Sequence, residues 1–147
     1  MKKLILSLSM ILSLMACNKN DGIVIQDITG EWERVSVSCA IMADTDQELI
    51  KQDIENSATG TEYLSFNEKG EGMSYIPSPE QITGFYQLRE GTIYKALTEK
   101  GEYKPIGSQI DNQIFSLIED NTELYREKYP TAGINAVLIY ENYRKRK

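Results

Sequence analysis

Residues 61–103, TEYLSFNEKGEGMSYIPSPEQITGFYQLREGTIYKALTEKGEY, decide the fold. Apolar and aromatic residues come here in runs too short for helices, and each run is cut by turn residues. Tyr63 to Phe66 is followed by Asn67, Glu68, Lys69 and Gly70, with asparagine first and glycine last as a type I turn prefers. The tetrad Glu68, Lys69, Gly70, Glu71 recurs as Glu99, Lys100, Gly101, Glu102, and Arg89, Glu90, Gly91 punctuates the chain in the same way. This is reused hairpin chemistry and not a duplicated domain. Further strands are predicted near 71 to 76, 82 to 88, 92 to 98, 102 to 107, 113 to 118, 122 to 128 and 136 to 144, with Pro105 marking an edge or a bulge. Upstream, Val35, Val37, Cys39 and Ile41 alternate with Ser36 and Ser38, which predicts a first strand from 32 to 41. Eight or nine strands at spacings of about ten residues argue for an antiparallel meander. Such a meander hides its edges most simply by closing into an all-β, up-and-down barrel.

One segment has a different period. Thr45 and Glu48 have capping-box spacing, Ile50, Ile54 and Ala58 fall four apart beside Leu49, and Gly60 follows as a stop. A helix of about three turns is predicted between roughly 45 and 58, between the first two strands.

The start of the chain reads as an address. Lys2 and Lys3 precede an apolar run from Leu4 to Met15, which at a dozen residues falls short of the roughly 20 needed to span a bilayer. Leu14, Met15, Ala16, Cys17 resembles the lipobox of bacterial lipoproteins: a small residue before the cut, and a thiol after it to carry a diacylglycerol thioether. The resemblance implies a signal peptide over 1–16, lipidation of Cys17 and a membrane anchor. With Asn18 and not aspartate next, it points to the outer membrane. Residues 17–27 are expected to be the lipidated cysteine and a polar spacer, and 28–147 the domain.

Removing residues 1–16 takes away two lysines and no acid, so the formal charge of −6 becomes −8. So acidic a domain is a poor partner for nucleic acid, and the basic stretch Arg144 to Lys147 reads as a solvated end. Lipidation of Cys17 leaves Cys39 without a disulfide partner, a buried thiol on the apolar side of its strand. The chain has no histidine, which excludes Ser-His-Asp and Cys-His nucleophile pairs and imidazole metal ligands. Neither a Walker loop nor a G-x-S-x-G elbow is found. Asp44, Asp46 and Glu48 suit a helix start better than a calcium loop, which needs a glycine and a later glutamate. No catalytic constellation, metal or cofactor is expected.

Gly30, Glu31, Trp32 opens the first strand and resembles the GxW signature of lipocalins and related barrels. The resemblance implies a tryptophan plugging the closed end, with an arginine near the end of the last strand across its ring. Arg144, after Tyr143, is the matching position, and such a contact is worth about 0.5 to 2 kcal/mol. Trp32 is out of phase with the odd apolar stripe behind it. Either a bulge switches faces, or Arg34 and Ser36 line a partly polar lumen. With Trp32 at the closed end, the helix at 45–58 falls near the mouth, as a lid or as a helix packed on the wall.

Two functions follow. In the first, the barrel binds a small apolar or amphipathic ligand, with Phe66, Tyr86 and Tyr140 as candidate contacts, since each pairs an apolar body with strand placement. In the second, the domain is a protein-interaction or inhibitor lipoprotein, or an accessory subunit at the cell envelope, with a protein partner that the sequence does not name. The volume and polarity of the interior discriminate them.

Overall fold

The computed structural model describes residues 22–147, so the expected signal peptide over 1–16, Cys17 and residues 18–21 lie outside the described residues. Among the described residues, eight antiparallel strands close in chain order: β1 (Gly30–Ala43), β2 (Tyr63–Phe66), β3 (Glu71–Pro77), β4 (Glu80–Arg89), β5 (Thr92–Ala96), β6 (Lys104–Asp111), β7 (Ile114–Asp120) and β8 (Ile134–Lys145), with β8 returning to β1. Three helices accompany them: α1 (Ile25–Ile28) before β1, α2 (Gln47–Ser57) after β1, and α3 (Thr122–Lys128) before β8. The all-β barrel and its helix after the first strand are as the turn spacing predicts. Closure gives every strand a hydrogen-bonded neighbour on both sides, which is the physical advantage of this topology for a short meander.

Local chemistry explains the corners. In the β2–β3 turn Asn67 Oδ1 accepts from the Lys69 and Glu71 amides at 2.9 and 3.0 Å, and Gly70 takes a φ of 77° that a side chain would resist. On the inner face, Phe66 lies across its ladder partner Gly72 so closely that a Cβ there would sit 2.5 Å from the ring. Gly72→Ala should therefore cost about 1 to 3 kcal/mol by overpacking, measured by urea unfolding. An unchanged midpoint would mean that the ring can move aside.

The phase problem at Trp32 resolves in favour of the bulge, and the polar-lumen reading holds for Arg34 but not for Ser36. Arg34 pairs with Tyr143 and Ser36 with Asn142, so Val35 is an extra, bulged residue and is 45% exposed. Trp32 and Arg34 therefore point inward before the bulge, and Val37, Cys39 and Ile41 after it. Ser36 faces out, where its hydroxyl accepts from Asn142 Nδ2 at 3.1 Å.

The apolar interior has two parts. At the closed end Trp32, Leu64, Phe66, Ile93, Phe115 and Leu117 fill the taper with Ile28 of α1 beneath them. At the other end Ile50 and Ile54 of α2, Tyr125 of α3, and Ile134 and Val137 of β8 pack with Val37, Cys39 and Ile41. β2 pairs with β1 only over Gly30–Glu33, so beyond Glu33 the inner face of β1 is covered by α2.

Four expectations need correcting. Residues 122–128 form α3 and not a strand: Thr122 and Tyr125 are the buried pair, three apart, and Asp120 Oδ1 accepts the Thr122 amide at 2.9 Å. The spacer does not run to residue 27. Ile23 packs on the closed-end core, its amide bonds Gly91 O at 3.2 Å, and α1 seals the base. The capping box does not form, because Asp46, at φ 62°, is the residue before α2 and Thr45 Oγ1 bonds Asp46 Oδ2 instead. Pro105 lies on no free edge. It falls where β5 and β6 pair over just three positions, before β6 shifts its pairing to β7.

Candidate functional site

Above the aromatic floor the barrel changes character. β1 brings in Arg34, the residue before β2 brings in Glu62, and β3 contributes Ser74. β4 adds Thr83 and Tyr86, β5 Lys95, β7 Glu119, and β8 Glu141 and Tyr143. Each of these charged strand residues is in phase with a buried apolar or aromatic one on its own strand: Lys95 with Ile93, Glu119 with Leu117, Glu141 with Tyr143. Placing ionised groups inside is costly unless they are paired and hydrogen-bonded. They are paired here.

Arg34 is the hub. Its Nη1 donates to Glu62 Oε2 at 2.5 Å and stands 3.5 Å from Glu141 Oε2, while Nη2 donates to the carbonyls of Ala58 at 2.9 Å and Gly60 at 3.3 Å. The guanidinium thus ties the C-terminal end of α2 to the inside of the barrel, where a cation also suits the helix dipole. Glu62 accepts from Thr83 Oγ1 at 2.9 Å and from Tyr143 OH at 3.5 Å, and Tyr143 OH donates to Glu141 Oε2 at 2.6 Å. Ser74 Oγ links Thr83 Oγ1 at 2.7 Å to Tyr86 OH at 3.2 Å. Lys95 forms an ion pair with Glu119 and lies over the Tyr86 ring at 5.7 Å. Among the described residues, no buried side-chain nitrogen or oxygen lacks a partner.

These neighbours shift the protonation equilibria. Burial, then the nearby Glu141 carboxylate, raises the Glu62 carboxyl above its ordinary range, partly offset by Arg34. Burial pushes the Tyr86 hydroxyl up to about 12, and burial with Glu141 raises that of Tyr143 too, so both stay protonated donors near neutrality. Burial opposes the Lys95 charge, but Tyr86 and Glu119 more than offset it, and its pKa is raised.

A cavity of about 230 Å³ lies between this polar girdle and the mouth. Arg34, Glu62, Thr83, Lys95 and Glu141 form its polar wall. Val37 and Ile139 from the strands, Ile54 and Ala58 from the α2 end and Tyr125 from α3 make an apolar collar. Among the described residues, no group of three or more cysteines and acids is arranged to hold a metal ion.

The residues singled out from sequence fall in three places. Trp32 sits at the closed end, 2% exposed, with its Nε1 donating to Ile28 O at 2.8 Å and its ring 5.3 Å from that of Phe115. The cation over it is Lys145, with Nζ 5.6 Å from the ring, and not Arg144. Arg144 is exposed and lies between Glu33 and Ile114 in the ladder, because Tyr143 takes the inward position. Phe66 belongs to the filled base, 4% exposed. Tyr86 is in the floor below the cavity, where its hydroxyl meets Ser74. Tyr140 alternates with the cavity-lining Ile139 and Glu141 and so faces outward, away from the lumen. Cys17 lies outside the described residues. Arg34 was legible as a lumen residue, whereas Glu62, Thr83, Lys95, Tyr125 and Glu141 were missed. The signal available for Lys95 and Glu141 was a charge in phase with an apolar stripe.

No family model, curated protein or solved structure matches the chain.

Proposed function

We propose that this chain is a lipocalin-like lipoprotein of the cell envelope whose barrel holds a small amphipathic molecule. The observation that carries the ligand reading is the cavity of about 230 Å³, polar on one wall and apolar around its rim. That combination is typical of small-molecule sites, but the volume falls below the roughly 300 to 1,000 Å³ of drug-sized ones. With the base of the barrel filled by Trp32, Phe66 and Phe115, long-chain fatty acids, sterols and tetrapyrroles are too large, and the ligand is of fragment size. Thermal shift of the purified full chain against fragment-sized amphipaths is the test. A ligand at a hundred times its dissociation constant adds about 2.7 kcal/mol to stability, and Val37→Trp, which fills the collar, should abolish the shift. If no compound moves the melting point, the container reading fails. The exposed leucines Leu49, Leu97 and Leu124 are all on segments at the mouth end, and they favour a protein partner as the second reading.

The anchor reading rests on the lipobox-like residues Leu14 to Cys17. The position of Ile23 beside Gly91 at the closed end supports a definite orientation. Four residues separate Cys17 from Gly22, and the five steps between them span at most about 18 Å. A lipid on Cys17 would hold the closed end toward the outer membrane and leave the mouth facing away. Cys17→Ser should shift the protein from the membrane fraction to the soluble fraction, and unchanged retention rules the tether out.

A further inference from the structure

We infer that the molecule the cavity takes is a small organic cation, an amine with a short apolar body. This rests on the container reading above and narrows it. Five charged groups make up the girdle: Arg34 and Lys95 against Glu62, Glu119 and Glu141. The interior thus carries one carboxylate more than it has cations, and its two cations are already engaged. Arg34 is divided between Glu62, Glu141 and two carbonyls, and Lys95 is held by Glu119 and the Tyr86 face. An anion entering would meet three carboxylates and no free donor of full positive charge, whereas an ammonium would supply the missing partner. The raised protonation equilibrium of Glu62, from burial and then Glu141, is the same excess expressed as proton affinity. Of the three carboxylates, Glu62 and Glu141 line the cavity, and Glu141 is the one such a cation reaches first, since its side chain is 20% exposed against 8% for Glu62.

The outer charges agree independently. In the segments at the mouth end, residues 43–58, 77–82, 97–104 and 120–133, eleven Asp and Glu stand against five Lys and Arg. At the closed end, residues 22–33, 66–72, 89–92, 111–114 and 144–147, seven stand against six. The acidic excess is therefore gathered around the entrance. Exposed charges are screened beyond about 10 Å at 0.1 M salt, so this rim speeds the approach of cations more than it tightens their binding. The collar of Val37, Ile54, Ala58 and Ile139 takes the apolar body, and the Tyr125 ring offers an aromatic wall.

The experiment compares isosteric probes that differ in charge: hexylamine, hexanol and hexanoate, and 2-phenylethylamine with 2-phenylethanol. Binding to the purified full chain is followed by titration calorimetry and by amide shifts of the lining residues. The amines should bind at least tenfold more tightly than their alcohols, and hexanoate more weakly than both. Glu141→Gln should remove most of that preference while alcohol binding persists. Should Glu141→Gln fail to fold, Glu119→Gln tests the same charge excess from the other side of the girdle. Alcohols binding as well as amines, or a preference unchanged in both variants, overturns the cation and leaves the container standing. Binding of no probe at all overturns both.

Discussion

Replacing Trp32 with alanine should destabilise the barrel by about 3 to 5 kcal/mol, the cost of deleting a well-packed buried aromatic. The indole is 2% exposed and stands where β1 begins, against Phe115 and above Ile28. Its removal opens a cavity at the narrow end of the barrel and also strips Ile28 O of the Nε1 donor at 2.8 Å. A buried carbonyl without its partner adds about 1 to 3 kcal/mol on its own account, so the upper half of the range is favoured. The neighbouring cations separate two geometries. Lys145 Nζ stands over the ring, so the losses of Trp32→Ala and Lys145→Ala should fall short of additivity by about 0.5 to 1 kcal/mol in a double-mutant cycle. Arg144 points away, and its cycle with Trp32 should be additive. Urea unfolding of the singles and doubles measures both. Coupling to Arg144 and none to Lys145 would contradict the placement of the last strand.

How much of this could be read beforehand differs between the wall and the interior. The wall followed from turns: Asn67 to Gly70, Glu90–Gly91 and the helix stop at Gly60 each sit where the backbone needs them, because glycine takes positive φ at 60, 70 and 91. Such signals are local, and local signals survive in a linear reading. Residues 122–128 failed because a seven-residue helix with two buried positions has too little period to be told from a strand, and position 122 follows a strand directly. The Gly30-Glu31-Trp32 motif was also local, but the cation over its indole was misplaced by one residue. Which of Arg144 and Lys145 reaches the indole depends on how β8 registers against β1, and register is a long-range property. The cavity was the least legible part. Its composition depends on which face of each strand turns inward, and the bulge at Val35 reverses that face in the middle of β1. A reader who treats Lys95, Glu119 and Glu141 as solvated charges, the ordinary expectation, misses that their strand neighbours two positions away are buried.

Removing the hub of that girdle should be as costly as removing the plug, and costly in a way that depends on pH. Arg34→Ala leaves Glu62 and Glu141 without their cation and frees the carbonyls of Ala58 and Gly60 at the end of α2, so about 3 to 5 kcal/mol is the expected loss near neutrality, as for other broken buried pairs. Glu62 sets the direction with pH. Its folded carboxyl already lies above the ordinary value near 4.3, through burial and then Glu141, so the native state holds that proton more tightly than the unfolded chain does. The stability linked to Glu62 is therefore fully present below the unfolded value and is lost as pH rises through the folded one. Taking away Arg34, which lowers that folded value, pushes it higher still and moves the loss into a more alkaline window. The penalty for Arg34→Ala should consequently be smaller at pH 5, nearer to where Glu62 takes up its proton, than at pH 8, where it is more fully ionised while buried. Glu62→Gln in the same background should recover part of the stability at pH 8 and little at pH 5. Chemical denaturation of the wild type, Arg34→Ala and the double variant at both pH values measures the difference. An Arg34→Ala penalty that is the same at pH 5 and pH 8 would show that Glu62 does not depend on the guanidinium, and that the arginine acts chiefly by fastening α2 to the mouth.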